Sequence, residues 1–213
     1  MTPEAASMKA EELCNLAPVI PVLVLDDVAT ARPLAEALVA GGLPVLEVTL
    51  RTPVALDVIS EMSKVEGGIV GAGTLLNPQD VENAVNAGAT FGVSPGATDT
   101  LLDACEAADL PLLPGAATSS EVMRLLERGY RVQKFFPAEA NGGAPALTAI
   151  GAPLPQVKFC PTGGVSPANA PTYLGLSNTL CVGGSWVAPN DLIAAKDWSA
   201  IQALAAEAAS LLR

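Results

Sequence analysis

The stretch Val45-Leu46-Glu47-Val48-Thr49-Leu50-Arg51 alternates apolar and polar side chains. A period of two is typical of a β-strand, and it places Glu47, Thr49 and Arg51 on the face opposite the apolar side chains. If the apolar face packs against helices, the polar face points into the interior of the fold. Burial of a carboxylate and a guanidinium is unfavourable unless they pair or bind a ligand. The stretch therefore predicts either a functional site or a structural Glu47–Arg51 ion pair.

Apolar runs of strand length recur eight times, and their starts are roughly 20 to 26 residues apart, which is enough for a parallel strand and its crossover helix. The runs are Val19–Leu25, Val45–Leu50, Ile69–Thr74, Phe91–Ser94, Leu110–Leu113, Val132–Phe136, Val157–Cys160 and Thr179–Val182. Segments with helical spacing lie before, between and after them, among them Glu4–Leu16, Ala29–Val39, Pro78–Ala87, Ser119–Arg128 and Trp198–Leu212. Thr118 or Ser119, followed by Glu121, is a candidate N-cap.

This alternation predicts an α/β protein, specifically a (β/α)8 TIM barrel with an extra N-terminal helix. No linker or change of composition divides the chain, so we expect residues 1–213 to form one barrel domain. The alternative is an open Rossmann-like sheet. That fold places a glycine-rich turn after its first strand, but here the strand runs into Leu25-Asp26-Asp27-Val28 without a glycine.

Composition excludes several classes of chemistry. The chain has 213 residues, no histidine and a net charge of −11. Without imidazole there is no Ser-His or Cys-His pair and no histidine-bound zinc. The acidic balance, the absence of a long apolar run and the polar N-terminus argue against nucleic acid, membrane and signal-peptide roles, so we expect a cytoplasmic protein. The four cysteines form no close pair along the sequence, and we expect them to be reduced and mostly buried.

Lys134 lies in the sixth predicted strand, Val132–Phe136, between aromatic and aliphatic residues. Such surroundings favour the neutral amine, which can attack a carbonyl and form a Schiff base. The alternative for Lys134 is a side chain that reaches solvent with its ammonium. Lys158 is the one rival lysine, but it precedes Thr162 by four residues and is expected nearer the closed end of the barrel. Strands two and six face each other across an eight-stranded barrel, so Glu47 and Lys134 are expected to converge at its mouth.

Glycine-rich turns follow the last two strands at Pro161–Ser166 and Val182–Ser185. Barrels often bind phosphate at these two loops, where backbone N–H groups face the anion. A single pair of glycines is weak support because glycine serves any tight turn, but two pairs at the two expected loops are more specific. Gly71-Ala72-Gly73-Thr74 closes the third strand and is expected to bring Thr74 to the same mouth, although a plain turn explains it nearly as well.

Six motifs occur in the order seen in 2-keto-3-deoxy-6-phosphogluconate (KDPG) and 4-hydroxy-2-oxoglutarate (KHG) aldolases, and the chain resembles that family over nearly its whole length. The motifs are Glu47–Thr52, Gly71–Thr74, Ser94–Gly96, Lys134–Glu139, Pro161–Gly164 and Gly183–Trp186. The resemblance implies a class I aldolase without metal or other cofactor. It also implies a homotrimer in the Entner–Doudoroff pathway of carbohydrate metabolism, with a phosphorylated 2-keto acid as substrate and pyruvate and glyceraldehyde 3-phosphate as products.

The resemblance also implies the role of each site residue. Lys134 is the Schiff-base lysine and Glu47 the general acid and base. The carboxylate and keto end of the substrate is assigned to Arg51, Thr74, Pro95, Phe136 and Thr162. The phosphate is assigned to Gly163, Gly164, Gly184 and Ser185. Three alternatives stay open: an aldolase for the galactonate epimer, another phosphate-binding barrel enzyme such as an isomerase or thiamine-phosphate-type synthase, and a non-catalytic scaffold.

Overall fold

The computed structural model describes residues 1–211, and all of its sheet pairing is parallel. The strands are β1 (Val19–Leu23), β2 (Val45–Thr49), β3 (Ile69–Gly73), β4 (Phe91–Val93), β5 (Leu112–Leu113), β6 (Gly115–Ala116), β7 (Val132–Phe135), β8 (Lys158–Pro161) and β9 (Val182–Gly184). They form a six-stranded sheet of order β5-β4-β3-β2-β1-β9 and a three-stranded sheet of order β6-β7-β8. The predicted α/β class with parallel strands is confirmed.

The two sheets approach each other at both ends. β5 and β6 are separated by Pro114, which has no N–H to donate to a ladder but accepts a hydrogen bond from the Lys134 amide at 2.8 Å. At the other end, isolated parallel bridges join Phe159 to Thr179 and Thr162 to Gly183. The fifth predicted strand, Leu110–Leu113, is observed as Leu112–Leu113, and beyond Pro114 the chain forms a further short strand, β6, that was not predicted.

Helices lie before, between and after the strands, and each of the five predicted segments corresponds to an observed helix, with bounds that differ by at most three residues. They are α1 (Pro3–Leu16), α2 (Ala31–Ala40), α3 (Ala55–Met62), α4 (Pro78–Asn86), α5 (Asp99–Ala107), α6 (Ser119–Arg128), α7 (Gly143–Gly151), α8 (Ala170–Leu174), α9 (Asn190–Ala195) and α10 (Trp198–Ala209), with short 3-10 turns at Val28–Thr30 and Glu139–Asn141. The last predicted helix ends three residues early, and its final residue lies outside the described residues. No helix within residues 1–211 combines the length and apolar character that a membrane crossing requires.

The capping residues explain why α6 agrees with the sequence at both ends. Thr118 accepts a hydrogen bond from the Glu121 amide, and Glu121 accepts one from the Thr118 amide, which is the reciprocal capping box. Gly129 ends the helix with a φ of 112°, a left-handed conformation that favours glycine. Thr118, rather than Ser119, is therefore the N-cap.

Two apolar clusters fill the interior. The larger one packs strand residues such as Leu46 and Val48 against helix residues such as Leu34 and Ile59. The smaller one contains Ala10 and Cys14 of α1 together with residues from strands of both sheets or next to them: Ile20, Val45, Phe91, Val93, Leu113, Val132, Cys160 and Cys181. The strands therefore have one face toward the helices and one toward a shared interior, and this second face carries Glu47 and Lys134.

Candidate active site at the carboxyl ends of the strands

The centre of the candidate site is a buried contact between Lys134 of β7 and Glu47 of β2. Lys134 Nζ donates to Glu47 Oε1 at 3.0 Å and lies 3.4 Å from Oε2, although the two residues are 87 positions apart. Only 6% of the Lys134 side chain and 4% of the Glu47 side chain are exposed. The sequence predicted that these two side chains converge, and their contact confirms that placement.

Phe136 adds an aromatic wall to this pair. Its ring centroid lies 5.3 Å from Lys134 Nζ, within the range of a cation–π interaction. The ring is half-buried, so it separates the lysine from bulk water on one side. A buried amine whose one hydrogen-bond partner is a carboxylate can exchange a proton with that carboxylate.

The predicted alternative, an ion pair between Glu47 and Arg51, is absent within residues 1–211. Arg51 is exposed, and its Nε donates to Thr49 Oγ1 at 3.2 Å, while Thr49 Oγ1 donates to the Leu23 carbonyl at 2.9 Å. The strand ends at Thr49, because the Arg51 amide turns back to the Thr49 carbonyl at 2.8 Å. Arg51 is therefore held at the rim, and Glu47 pairs with Lys134 instead.

Lys158, the rival lysine, lies at the amino end of its strand, away from this contact. It opens β8 and is paired with Val132, two residues before Lys134. Its Nζ donates to the Ser177 carbonyl at 2.8 Å beside a surface cavity of about 370 Å³ lined in part by Thr148 and Asn178. The expectation that Lys158 is nearer the amino ends of the strands is confirmed.

Thr74 follows β3 directly and has a φ of 65°. A β-branched residue in the left-handed region is strained by about 1–3 kcal/mol, and such strain clusters at functional sites. Pro95 follows the adjacent strand β4 and lies against Gly115, where an added Cβ would approach the Pro95 carbonyl to 2.3 Å. Gly115 is in turn paired with Lys134, so Pro95 lies next to the strand that carries the lysine.

The two glycine-rich turns lie side by side, because the Thr162–Gly183 bridge joins the ends of β8 and β9. Gly163 and Gly164 both have positive φ, at 100° and 78°, so this turn requires glycine. The turn also contacts the segment after Lys134, since the Glu139 amide donates to the Gly163 carbonyl at 3.0 Å. Ser185 is exposed just beyond Gly184.

Interior glycines were the feature that sequence reasoning missed. A Cβ on Gly73 would lie 2.3 Å from Glu47 Oε1, and a Cβ on Gly183 would lie 2.3 Å from Thr162 Oγ1. Both glycines belong to strands, where glycine weakens the strand and often marks a close approach. That signal was available in the sequence, but the partner of each glycine was not.

Three of the four cysteines also meet in space. Cys14, Cys160 and Cys181 belong to the smaller apolar cluster, although they come from α1, β8 and the residue before β9. All four cysteines are free and buried, as predicted. Within residues 1–211, no group of three or more His, Cys, Asp or Glu side chains could hold a metal ion.

A family model and a relative of high identity both match this chain over most of its length. The family described as KDPG and KHG aldolase matches residues 10–204. The KHG/KDPG aldolase of Escherichia coli strain K12 is 52% identical over 200 residues, which cover 93% of this chain and 94% of that protein.

Solved structures agree with this match. The KDPG aldolase of Zymomonas mobilis ZM4, solved with 3-phosphoglycerate, has a TM-score of 0.93 at 50% identity and covers 97% of this chain and 98% of its own. The KDPG aldolase of Legionella pneumophila, solved with pyruvate captured as a covalent carbinolamine intermediate, has a TM-score of 0.91 at 47% identity, with 94% and 98% covered. The predicted resemblance is confirmed, and the chain belongs to the KDPG and KHG aldolase family.

Proposed function

We propose that this chain is a class I aldolase, a carbon–carbon lyase that cleaves 2-dehydro-3-deoxy-6-phosphogluconate to pyruvate and glyceraldehyde 3-phosphate. Membership of the family supports the lyase activity. The single observation that carries the assignment of residues is the buried contact of Lys134 Nζ with Glu47 Oε1 at 3.0 Å. It joins a nucleophile to a proton acceptor in a largely desolvated site.

The first half of the reaction forms the Schiff base. Glu47 takes a proton from the Lys134 ammonium, and the free amine attacks the C2 ketone of the substrate to give a carbinolamine. Glu47 then returns its proton to the carbinolamine hydroxyl, which leaves as water, so that Glu47 is again a carboxylate and an iminium with a positive charge at nitrogen remains. The Legionella relative was captured with pyruvate as a covalent carbinolamine, which supports this step for the family.

The second half breaks the carbon–carbon bond. Glu47, acting through a water molecule, removes the proton of the C4 hydroxyl, and C4 becomes the aldehyde carbon of glyceraldehyde 3-phosphate. The electron pair of the C3–C4 bond moves to the iminium and leaves a neutral enamine on Lys134. Protonation at C3 restores the iminium, and addition of water then releases pyruvate and the free amine.

The other site residues are assigned to substrate binding. Arg51, Thr74 and Thr162 hold the carboxylate and keto end, and Pro95 and Phe136 line the pocket. The phosphate binds to the adjoining glycine-rich turns through Gly163, Gly164, Gly184 and Ser185. The bridge between Thr162 and Gly183 supports a common site, because it brings the two turns together at one end of the strands.

We also propose that the two sheets form one closed (β/α)8 barrel with α1 as its extra N-terminal helix, and that residues 1–213 are a single domain. The two bridges and the smaller cluster, which collects side chains from both sheets, support closure. A cytoplasmic homotrimer acting in the Entner–Doudoroff pathway is the assembly and setting that the family resemblance implies. We propose no cofactor and no nucleic-acid or membrane partner.

The test is reduction by borohydride in the presence of pyruvate, which converts an iminium to a stable amine. We expect a mass increase on the peptide that contains Lys134, and we expect the adduct to persist in Lys158→Ala and to vanish in Lys134→Ala. Glu47→Gln should slow cleavage and still permit the adduct. An adduct on Lys158 alone would overturn the assignment, and absence of any adduct would favour a phosphate-binding barrel of another class or a non-catalytic scaffold.

Substrate preference is tested by kcat/KM values measured side by side. The family name includes KHG aldolase, so cleavage of 4-hydroxy-2-oxoglutarate to pyruvate and glyoxylate is a second activity that we propose. The gluconate substrate, its galactonate epimer and the unphosphorylated keto acid should be compared. We expect the phosphorylated gluconate to be preferred, and equal values for phosphorylated and unphosphorylated acids would contradict the role given to the glycine-rich turns.

A further inference from the structure

Gly73, the last residue of β3, lies directly beside the Glu47 side chain. A Cβ built on Gly73 would lie 2.3 Å from Glu47 Oε1, 2.7 Å from its Cγ and 2.9 Å from its Cδ. All three nearest atoms belong to Glu47, and all three distances are shorter than side chains tolerate. We infer that Gly73 is a positioning residue of the aldol reaction, because its missing side chain leaves the space in which the Glu47 carboxylate contacts Lys134.

The backbone of Gly73 does not itself require glycine. The residue is in an extended strand, which every residue type can adopt, and it is not among the glycines with positive φ. Glycine inside a strand costs about 0.5–1 kcal/mol relative to alanine. A steric reason is therefore needed to explain it, and the three atoms nearest to the missing side chain all belong to Glu47.

Glu47 has little freedom to avoid an added methyl group. β2 and β3 are in continuous register from Val45 to Thr49, and the Leu50 amide donates to the Gly73 carbonyl at 2.8 Å, so the two backbones are fixed. The next interior position on β3 is Gly71, and the space beside it is filled by the Phe91 ring, 2.5 Å from a Cβ built there. The carboxylate is also buried, with 3% of the residue exposed.

The required displacement is large enough to affect proton transfer. The contact to Oε1 must lengthen by about 0.7 Å to reach the 3.0 Å limit that real Cβ atoms respect. A misplacement of about 1 Å can cost about 100-fold in rate. The inference rests on the proposed function, since it assumes that Glu47 transfers protons beside a Schiff base on Lys134.

The test compares Gly73→Ala with Gly175→Ala, a matched control at an exposed helix end where the nearest atom to an added Cβ is 3.4 Å away. We expect Gly73→Ala to lower kcat/KM for cleavage by about 100-fold, and Gly175→Ala to leave it unchanged. Gly73→Ala should still give the borohydride adduct on Lys134 and should lose exchange of the pyruvate methyl protons with solvent deuterium. A kcat/KM equal to that of the parent protein would overturn the inference.

A double mutant separates positioning from a general structural effect. Glu47→Ala lacks the three atoms that would clash with a methyl group at position 73. The double variant Glu47→Ala/Gly73→Ala should therefore have nearly the same kcat/KM and unfolding midpoint as Glu47→Ala alone. Equal losses in both backgrounds would overturn the inference. If the parent protein gives no adduct with pyruvate, the proposed function fails. The unfolding midpoints of the parent protein, Gly73→Ala, Glu47→Ala and the double variant then still decide whether Gly73 acts through Glu47.

Discussion

Substitution of Lys134 and Glu47 should show that this buried charge pair serves catalysis and does not add to the unfolding free energy compared with an apolar pair. Their side chains are only 6% and 4% exposed, and the contacts at 3.0 and 3.4 Å are the only hydrogen bonds that either side chain makes within residues 1–211. Removing one partner leaves the other buried without a hydrogen bond. Removing one member of such a pair typically costs about 3–5 kcal/mol, whereas replacing both with apolar groups of similar volume is often neutral or stabilising.

The experiment is a double-mutant cycle of Glu47→Leu and Lys134→Met, followed by urea denaturation at one protein concentration. We expect each single variant to lose about 3 kcal/mol of unfolding free energy, which corresponds to a fall in Tm of about 6–12 °C for a chain of this length. The double variant should recover most of this loss, because neither charge remains to be buried. Lys134→Met and the double variant should be inactive in cleavage, and Glu47→Leu should be strongly impaired.

An exposed pair provides the control. Lys64 and Glu61 are in contact at 2.5 Å, but 50% and 37% of their side chains are exposed. Glu61→Leu should therefore change the unfolding free energy by less than about 1 kcal/mol. The reasoning is refuted if Glu47→Leu and Lys134→Met each cost no more than this control, or if their losses simply add in the double variant.

Three further predictions concern strain, a helix cap and the thiols. Thr74→Gly should keep the unfolding free energy within about 1 kcal/mol of the parent value, because relief of the left-handed backbone strain offsets the greater unfolded-state entropy of glycine. The same variant should lower kcat/KM. A loss of unfolding free energy above about 2 kcal/mol would contradict the presence of strain at Thr74. Hydrogen bonds from the Ala117 amide and from Thr118 hold the pKa of Glu121 below its ordinary 4.5. The ionised Glu121 therefore stabilises the folded protein above pH 4.5, and this stabilisation is lost as the pH falls through the folded-state pKa. Glu121→Gln should abolish this part of the acid dependence of the unfolding free energy in urea titrations, and an unchanged profile would contradict the prediction. Burial, and then the charge of Glu106, raise the pKa of the Cys105 thiol to about 12, and all four cysteines are buried. A disulfide reagent such as DTNB should therefore label no cysteine in the folded chain and four in denaturant. Rapid labelling of the folded chain would contradict this prediction.

Local patterns predicted most of the secondary structure because their causes are local. The bounds of α6 follow from a capping box at one end and a glycine at the other, and both are visible in the sequence. The last strand was misplaced for a different reason. An apolar run indicated Thr179–Val182, but the observed strand is Val182–Gly184, because pairing with β1 selects glycines that no propensity scale favours in a strand.

The sequence by itself determined the family, the α/β class and the two side chains with unusual surroundings, Glu47 and Lys134. Alternation with a period of two assigns each of them to a face of its strand, and the apolar neighbours show that burial needs a reason. Those are properties of short stretches, so they can be read without knowing the fold.

Only the tertiary structure decided which groups become partners. Glu47 had two candidate partners in the sequence, and it pairs with Lys134, 87 residues away, rather than with Arg51, which is close by in the sequence. The interior glycine Gly73 provides the space for that contact, and three cysteines from distant segments meet in the smaller apolar cluster. Periodicity fixes the side of a strand on which a residue lies, whereas the distance between two strands depends on how all of the strands pair, and no local stretch contains that information.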